Sequence, residues 1–366
     1  MWDLAVREKD YQAVDSMLAR FRGSVPLSYR LVPARGRGNA GEVARLLEEA
    51  RALESRQLQL AARYSATYLD DTRFADSIAR LDLAWRERPA NRAQAQVQLG
   101  WLAVAEGRWS DALNEFEAAE RMEGAGPVVV HMAFAATLPF MSPAPAELEA
   151  VRARLVRWRP DLDASSEPDA PASLLRPHLR LQLLALVASK LDDEASVSAY
   201  RDSLESLRAP EGLGGVVRMM LATVDADRAF RRGQHRQVID LLDDPAPAIP
   251  LELLVLPRPA HLREYGFEHA RFLRGLAASQ LRNDAEAQRW LENGFSGSPQ
   301  EMAYRAPISL ELAQVYERTG DNARALERYA AGIRLWDRAD QALQSRVQDA
   351  RLRAKALSSH ADKQGQ

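Results

Sequence analysis

The chain has 366 residues, 46% of them apolar, with a formal charge of -2 and no cysteine. That length suits two ordinary domains or one long repeat array with a large core. The balanced charge argues against nucleic acid, which needs a basic patch; the missing cysteine removes disulfides, thiolate metal sites and cysteine nucleophiles; and no apolar run of about 18 residues is there to span a membrane.

From the N-terminus, Met1 to Phe21 is charged and amphipathic, unlike a signal peptide. It reads as a hairpin entered part-way, as though a longer chain or an upstream repeat preceded it. Next come helical segments in which a small residue, a large one four later and a small one three after that recur. The sets are Val43, Leu47, Ala50; Ser77, Leu81, Ala84; and Ala112, Phe116, Ala119, stepping by 34 and then 35 residues. Turns expected at Gly38, Thr72 and Gly107 step identically. Helical spacing puts each set on one face. The stretch Val97 to Ala119 is the clearest copy, two amphipathic helices joined at Gly107. Pro127 to Leu138 begins another first helix, stopped by Pro139, with Ala146 to Trp158 as its partner. Arg159 to Pro177 is rich in proline, serine and aspartate and reads as a linker. Helices resume at His178 to Lys190, Asp193 to Leu207 and Val216 to Arg232, and Gly233 turns into Gln234 to Leu242. Further copies of the set are Ser196, Tyr200, Ser203; Ala287, Leu291, Gly294; and Ala325, Tyr329, Gly332. Asp243 to Pro259 holds five prolines around an apolar run and reads as a packed connector. Gln341 to Leu357 is read as a polar capping helix, and the tail from Ser358 as disordered.

A helix-turn-helix period near 34 resembles the tetratricopeptide repeat. The copies that carry the resemblance are Leu58–Asn91 (Tyr68, Phe74, Ala84, Pro89), Ala93–Gly126 (Leu99, Gly100, Gly107, Trp109, Ala112, Phe116, Ala119) and Ala306–Ala339 (Leu312, Ala313, Tyr316, Gly320, Ala325, Tyr329). Thr72 stands where that family has a turn glycine, and Asp337 where proline is common. The resemblance implies an all-α fold, an α-solenoid of stacked helical hairpins. Its expected parts are N-terminal repeats over 1–158, a linker over 159–177, C-terminal repeats with a cap over 178–357 and a tail over 358–366.

In that family the first helix of each repeat lines a concave groove that takes a protein or peptide. By register the groove positions here are Gln59, Ala62, Ala66, Gln94, Val97, Trp101, Phe272, Leu276, Leu310 and Gln314. They are mostly apolar or amide, unlike the Lys, Arg and Asn of family members that clamp a C-terminal carboxylate. The resemblance extends to the C-terminal repeat regions of bacterial serine/threonine kinases and transcriptional regulators. It implies a non-catalytic scaffold or sensor in signalling, without cofactor, cytoplasmic by default and extracytoplasmic if the parent is a membrane-anchored kinase.

Other patterns are weaker. Gly36 to Gly41 matches G-x-G-x-x-G, but Leu31-Val32-Pro33 cannot supply the preceding strand a dinucleotide site needs. His261, Glu264, Glu268 and His269 cluster without H-E-x-x-H spacing. They define the alternative reading, a helical-repeat enzyme or small-ligand sensor with its site near His261–His269; the first reading there is a solvated helix face, with no metal. Asp192-Asp193 and Asp243-Asp244 are expected in turns, where Asp bonds locally.

Overall fold

A computed structural model describes residues 2–21, 24–51, 57–124, 126–160, 174–243, 267–292 and 299–364. These residues form nineteen helices and no strand. In order they are α1 (Trp2–Arg7), α2 (Tyr11–Ala19), α3 (Leu27–Gly36), α4 (Ala40–Arg51), α5 (Gln57–Tyr68), α6 (Thr72–Trp85), α7 (Pro89–Ala105), α8 (Trp109–Glu120), α9 (Val128–Thr137), α10 (Pro145–Arg157), α11 (Arg176–Lys190), α12 (Glu194–Ser206), α13 (Gly214–Arg231), α14 (His235–Leu241), α15 (Phe267–Gln280), α16 (Asp284–Glu292), α17 (Pro299–Arg318), α18 (Asn322–Leu335) and α19 (Gln341–Gln364).

One turn chemistry makes eight of the hairpins. Each first helix ends on a residue in the left-handed region: Lys9, Gly38, Asp70, Gly107, Asp192, Gly233, Arg282 or Gly320, with φ between 50 and 81°. The next residue starts the second helix as its N-cap. In seven of the eight its N–H bonds to the carbonyl five residues back, as Arg108 does to Ala103 and Asn283 to Ala278, both at 2.9 Å. This is the 6→1 bond of a Schellman ending, which satisfies a carbonyl the helix would leave bare. Asp10, Asn39, Asp71, Asp193, Asn283 and Asp321 then accept from the amide three residues on. Such caps are worth about 1 kcal/mol each.

Four residues past each N-cap stands a small side chain: Val14, Ala75, Ala112, Val197, Val238, Ala287 and Ala325 are at most 1% exposed, and Val43 is half-buried. Here the second helix meets the first. Gly100 lies against the Phe116 ring and Gly275 against Leu291, so closely that a methyl group at either glycine would overlap its neighbour. Both pairs are sixteen residues apart, the same geometry built twice.

Three expectations are corrected. The turn between α5 and α6 falls at Asp70, and Thr72 is the first residue of α6. Asp tolerates the left-handed region, so no glycine marks that turn. The true core positions are therefore Ala75 and Ile78, and Ser77 and Ala84 are exposed. Likewise Val197 and Leu204, rather than Ser196 and Ser203, fill the core under α12. Finally, α19 runs on to Gln364, with the Ser358 and Ser359 hydroxyls donating to the carbonyls four residues back.

The chain forms two compact units, Met1–Ala125 with Ser296–Arg305, and Gly126–Phe295 with Ala306–Gln366. The expected boundary at 159–177 does not separate them: α10 packs on α11 across it, inside the second unit. Residues 161–173 of that expected linker lie outside the described residues. In the first unit α3 pairs with α4 and α5, α5 packs on α6, α6 on α7 and α7 on α8. In the second unit the first helices α9, α11, α13 and α15 touch in sequence, while α12, α14 and α16 each pair with their own first helix.

Candidate functional site

A buried polar site lies in the second unit, on the first helices α11, α13 and α15. Asp227 of α13 is 4% exposed, and its two carboxylate oxygens reach in two directions. Oδ2 accepts from the Ser189 hydroxyl of α11 at 2.8 Å, and Oδ1 lies 3.1 Å from His269 Nε2 of α15. One carboxylate thus ties three successive first helices. Burial alone would raise its pKa, but the bonds from His269 and Ser189 and the charge of Lys190 hold it below the ordinary value. A buried carboxylate that accepts several hydrogen bonds stays ionised.

Lys190, next to Ser189, is half-buried and carries a second charge. Its Nζ donates to the carbonyls of Leu138 at 2.8 Å and Met141 at 2.7 Å. Desolvation pulls the amine down to about 8, opposed by the charge of Asp227. Lys190, Asp227, Phe230, Arg231 and Pro139 line a cavity of about 310 Å³.

The carbonyls that Lys190 grips belong to the connection from α9 to α10. Leu138 ends α9 at φ -53°, ψ 132°, and Ala144 precedes α10 at φ -65°, ψ 149°, both in the extended region of polyproline backbone. Pro139 lacks the N–H to continue α9. Pro145 opens α10, and the Ala144 amide donates back to Glu147 at 2.7 Å. Between them Leu138, Phe140 and Met141 are 3%, 6% and 2% exposed. The Phe140 ring meets Phe272 of α15 edge-on at 5.9 Å and Trp336, at the end of α18, at 5.7 Å. Arg346 of α19 stands over the Trp336 ring at 5.4 Å.

The groove residues expected from register are placed as follows. Gln59 is buried and donates to Asp82 of α6 at 3.2 Å, and Asp82 is paired with Arg86. Ala62 and Ala66 are buried. Gln94, Val97, Leu276 and Gln314 are half-buried. Trp101 is 0% exposed and packs edge-on against Phe116 at 5.8 Å, so it is core rather than an open contact surface. Leu310 is buried against Gly332 of α18, a packing position. Phe272 is buried, with the chain's own Phe140 against its ring. Val97, Trp101 and the α5 residues belong to the first unit, Phe272, Leu276, Leu310 and Gln314 to the second.

Of the histidine–carboxylate cluster, His261 and Glu264 lie outside the described residues. The other two members are engaged elsewhere, Glu268 with Arg271 at 2.5 Å and His269 with Asp227. Among the described residues no three His, Asp or Glu side chains converge as a cation site would require. Ser189, Asp227 and His269 are the residue types of a hydrolytic triad in the wrong order. The carboxylate sits between serine and histidine, whereas nucleophilic catalysis needs the imidazole on the hydroxyl. Asp192 and Asp193 do occupy a turn, Asp192 at φ 56° and Asp193 as the N-cap.

Asp227, Ser189 and Lys190 were not singled out from the sequence. The available signal was register: six residues before the turn, where Asp227 stands, other copies carry Trp101, Leu276 and Gln314. An acid where those copies carry apolar or amide side chains marks a buried charge that must have partners. No family model matches the chain, and neither a curated protein nor a solved structure does so.

Proposed function

We propose that this chain is a non-catalytic binding module, a tetratricopeptide-like array whose hairpins stack as a right-handed superhelix. In this reading its first helices form the concave face, and the face of the second unit holds an extended segment of a protein partner. The observation that carries the reading is the grip on Leu138 to Ala144. Lys190 takes two backbone carbonyls and Phe272 and Trp336 take the ring, which is how a face built from helices would hold any extended chain. Backbone contacts give affinity and side-chain pockets give preference. The resemblance to repeat regions of bacterial kinases and regulators makes signalling the setting of the proposal. The Ser189–Asp227–His269 order favours binding over hydrolysis, since nothing in it activates the serine.

The test is a phage-displayed library of random dodecapeptides panned on the intact chain, with enriched sequences remade as free labelled peptides. Fluorescence anisotropy is expected to show a loss of about tenfold or more on Lys190→Gln, in line with removing a charge-assisted contact. Hits that bind Lys190→Gln as tightly as the parent would put the binding surface elsewhere. No enrichment at all on a folded chain would end the reading.

A further inference from the structure

The connection from α9 to α10 differs from the other hairpin turns. Eight hairpins turn through one left-handed residue and an N-cap, whereas this one runs from Leu138 to Ala144. At seven residues it is of ordinary length for a helix–helix connection, so what sets it apart is its composition and its contacts. It carries no charged residue and is punctuated by Pro139, Pro143 and Pro145. It buries Leu138, Phe140 and Met141 while leaving Ser142 and Ala144 exposed. Its two gripped carbonyls meet a lysine in a chain where only four of 49 basic residues are lysine. The ammonium turns its three donors to two carbonyls at once.

We infer that Leu138 to Ala144 is an internal ligand, and that the partner segment is an uncharged, proline-flanked extended peptide with an aromatic residue followed by an aliphatic or thioether side chain, which must displace it. The inference rests on the binding reading above and adds both the partner's chemistry and a built-in competitor. The occupied face includes Phe272, a groove position by register that is 2% exposed. Tethering at both ends makes the internal segment a competitor of high effective concentration. A free peptide of the same sequence therefore binds poorly until the tethered copy is weakened. The competitor is weakened most simply at Phe140, whose ring contacts Phe272 and Trp336.

The experiment titrates fluorescein-labelled Leu-Pro-Phe-Met-Ser-Pro-Ala-Pro into the full chain and into its Phe140→Ser variant. The variant is expected to bind at least about tenfold more tightly, and adding Lys190→Gln to it is expected to abolish that gain. Equal affinity for both folded chains, or binding to neither, overturns the inference. If Phe140→Ser loses helical circular dichroism, Phe140→Leu takes its place, keeping an apolar side chain but not the ring contacts. A second measurement needs no variant: hydrogen exchange of the parent with excess peptide. The Met141 amide, bonded to the Leu138 carbonyl at 3.1 Å, is expected to exchange faster while the amides of α9 do not. Unchanged exchange at saturating peptide refutes displacement. Display-selected peptides that bind parent and Phe140→Ser alike, with the octapeptide silent, would remove the internal ligand and leave the binding reading standing. Failure of every displayed peptide on both chains would remove the binding reading itself.

Discussion

Lys190 makes a pH prediction whose sign and size can be worked through. Its amine titrates near its ordinary 10.5 in an unfolded chain and at about 8 in the folded one, because burial disfavours the charged form. The unfolded state therefore holds more protons between these two values, so stability rises with pH across that window. At about 1.4 kcal/mol per tenfold change in proton affinity, the full gap amounts to about 3 kcal/mol of penalty near neutral pH, of which about 1 kcal/mol is relieved between about pH 7 and pH 9. Against the penalty stand two hydrogen bonds from a charged donor, each worth about 1.5–3 kcal/mol, so the residue can be retained at little net cost. Lys190→Met removes both contributions and, with them, the pH dependence. The assay is urea denaturation followed by far-UV circular dichroism on parent and variant at a series of pH values. The free-energy difference, parent minus variant, is expected to climb by about 1 kcal/mol from pH 7 to pH 9. Parallel profiles would show that the amine is not desolvated and that the grip on Leu138 and Met141 is not as described.

Asp227→Ala strands Ser189 and His269 and is expected to cost about 3–5 kcal/mol in a urea titration, the usual result of removing one partner from a buried ionic group. Because the Asp227 carboxyl is held below its ordinary value, its contribution is present at neutral pH and lost as the pH falls through the folded pKa, a dependence that Asp227→Asn should flatten. Gln182 of α11 is 0% exposed and both polar atoms of its amide are without a hydrogen-bond partner. Gln182→Leu is therefore expected to stabilise the chain by about 1–3 kcal/mol, and a melting temperature at or below the parent's would count against it. Trp101→Ala empties a fully buried site and should cost about 3–5 kcal/mol; an unchanged thermal melt would return Trp101 to the surface.

The amino-acid sequence alone determined the local architecture. Apolar residues at helical spacing, with Asp or Asn starting a helix just after a Gly or another polar residue, locate most of the hairpins. These signals act between residues a few positions apart. They sufficed to place Ala112, Phe116, Ala119, Ala287, Leu291, Ala325 and Tyr329 in the core, where all are at most 1% exposed. They failed where a turn used Asp70 in place of glycine, since the left-handed conformation of an aspartate leaves no mark in composition. Only the tertiary structure decided which faces are open. Trp101 and Phe272 have the register of groove residues, and both are covered, one in the core and the other by Phe140, 132 residues away in the chain. Asp227 meets Ser189 and His269 across separations of 38 and 42 residues. Such pairings depend on how whole helices pack, because a buried carboxylate's partners are chosen by proximity in space, and periodicity within one helix carries no information about them.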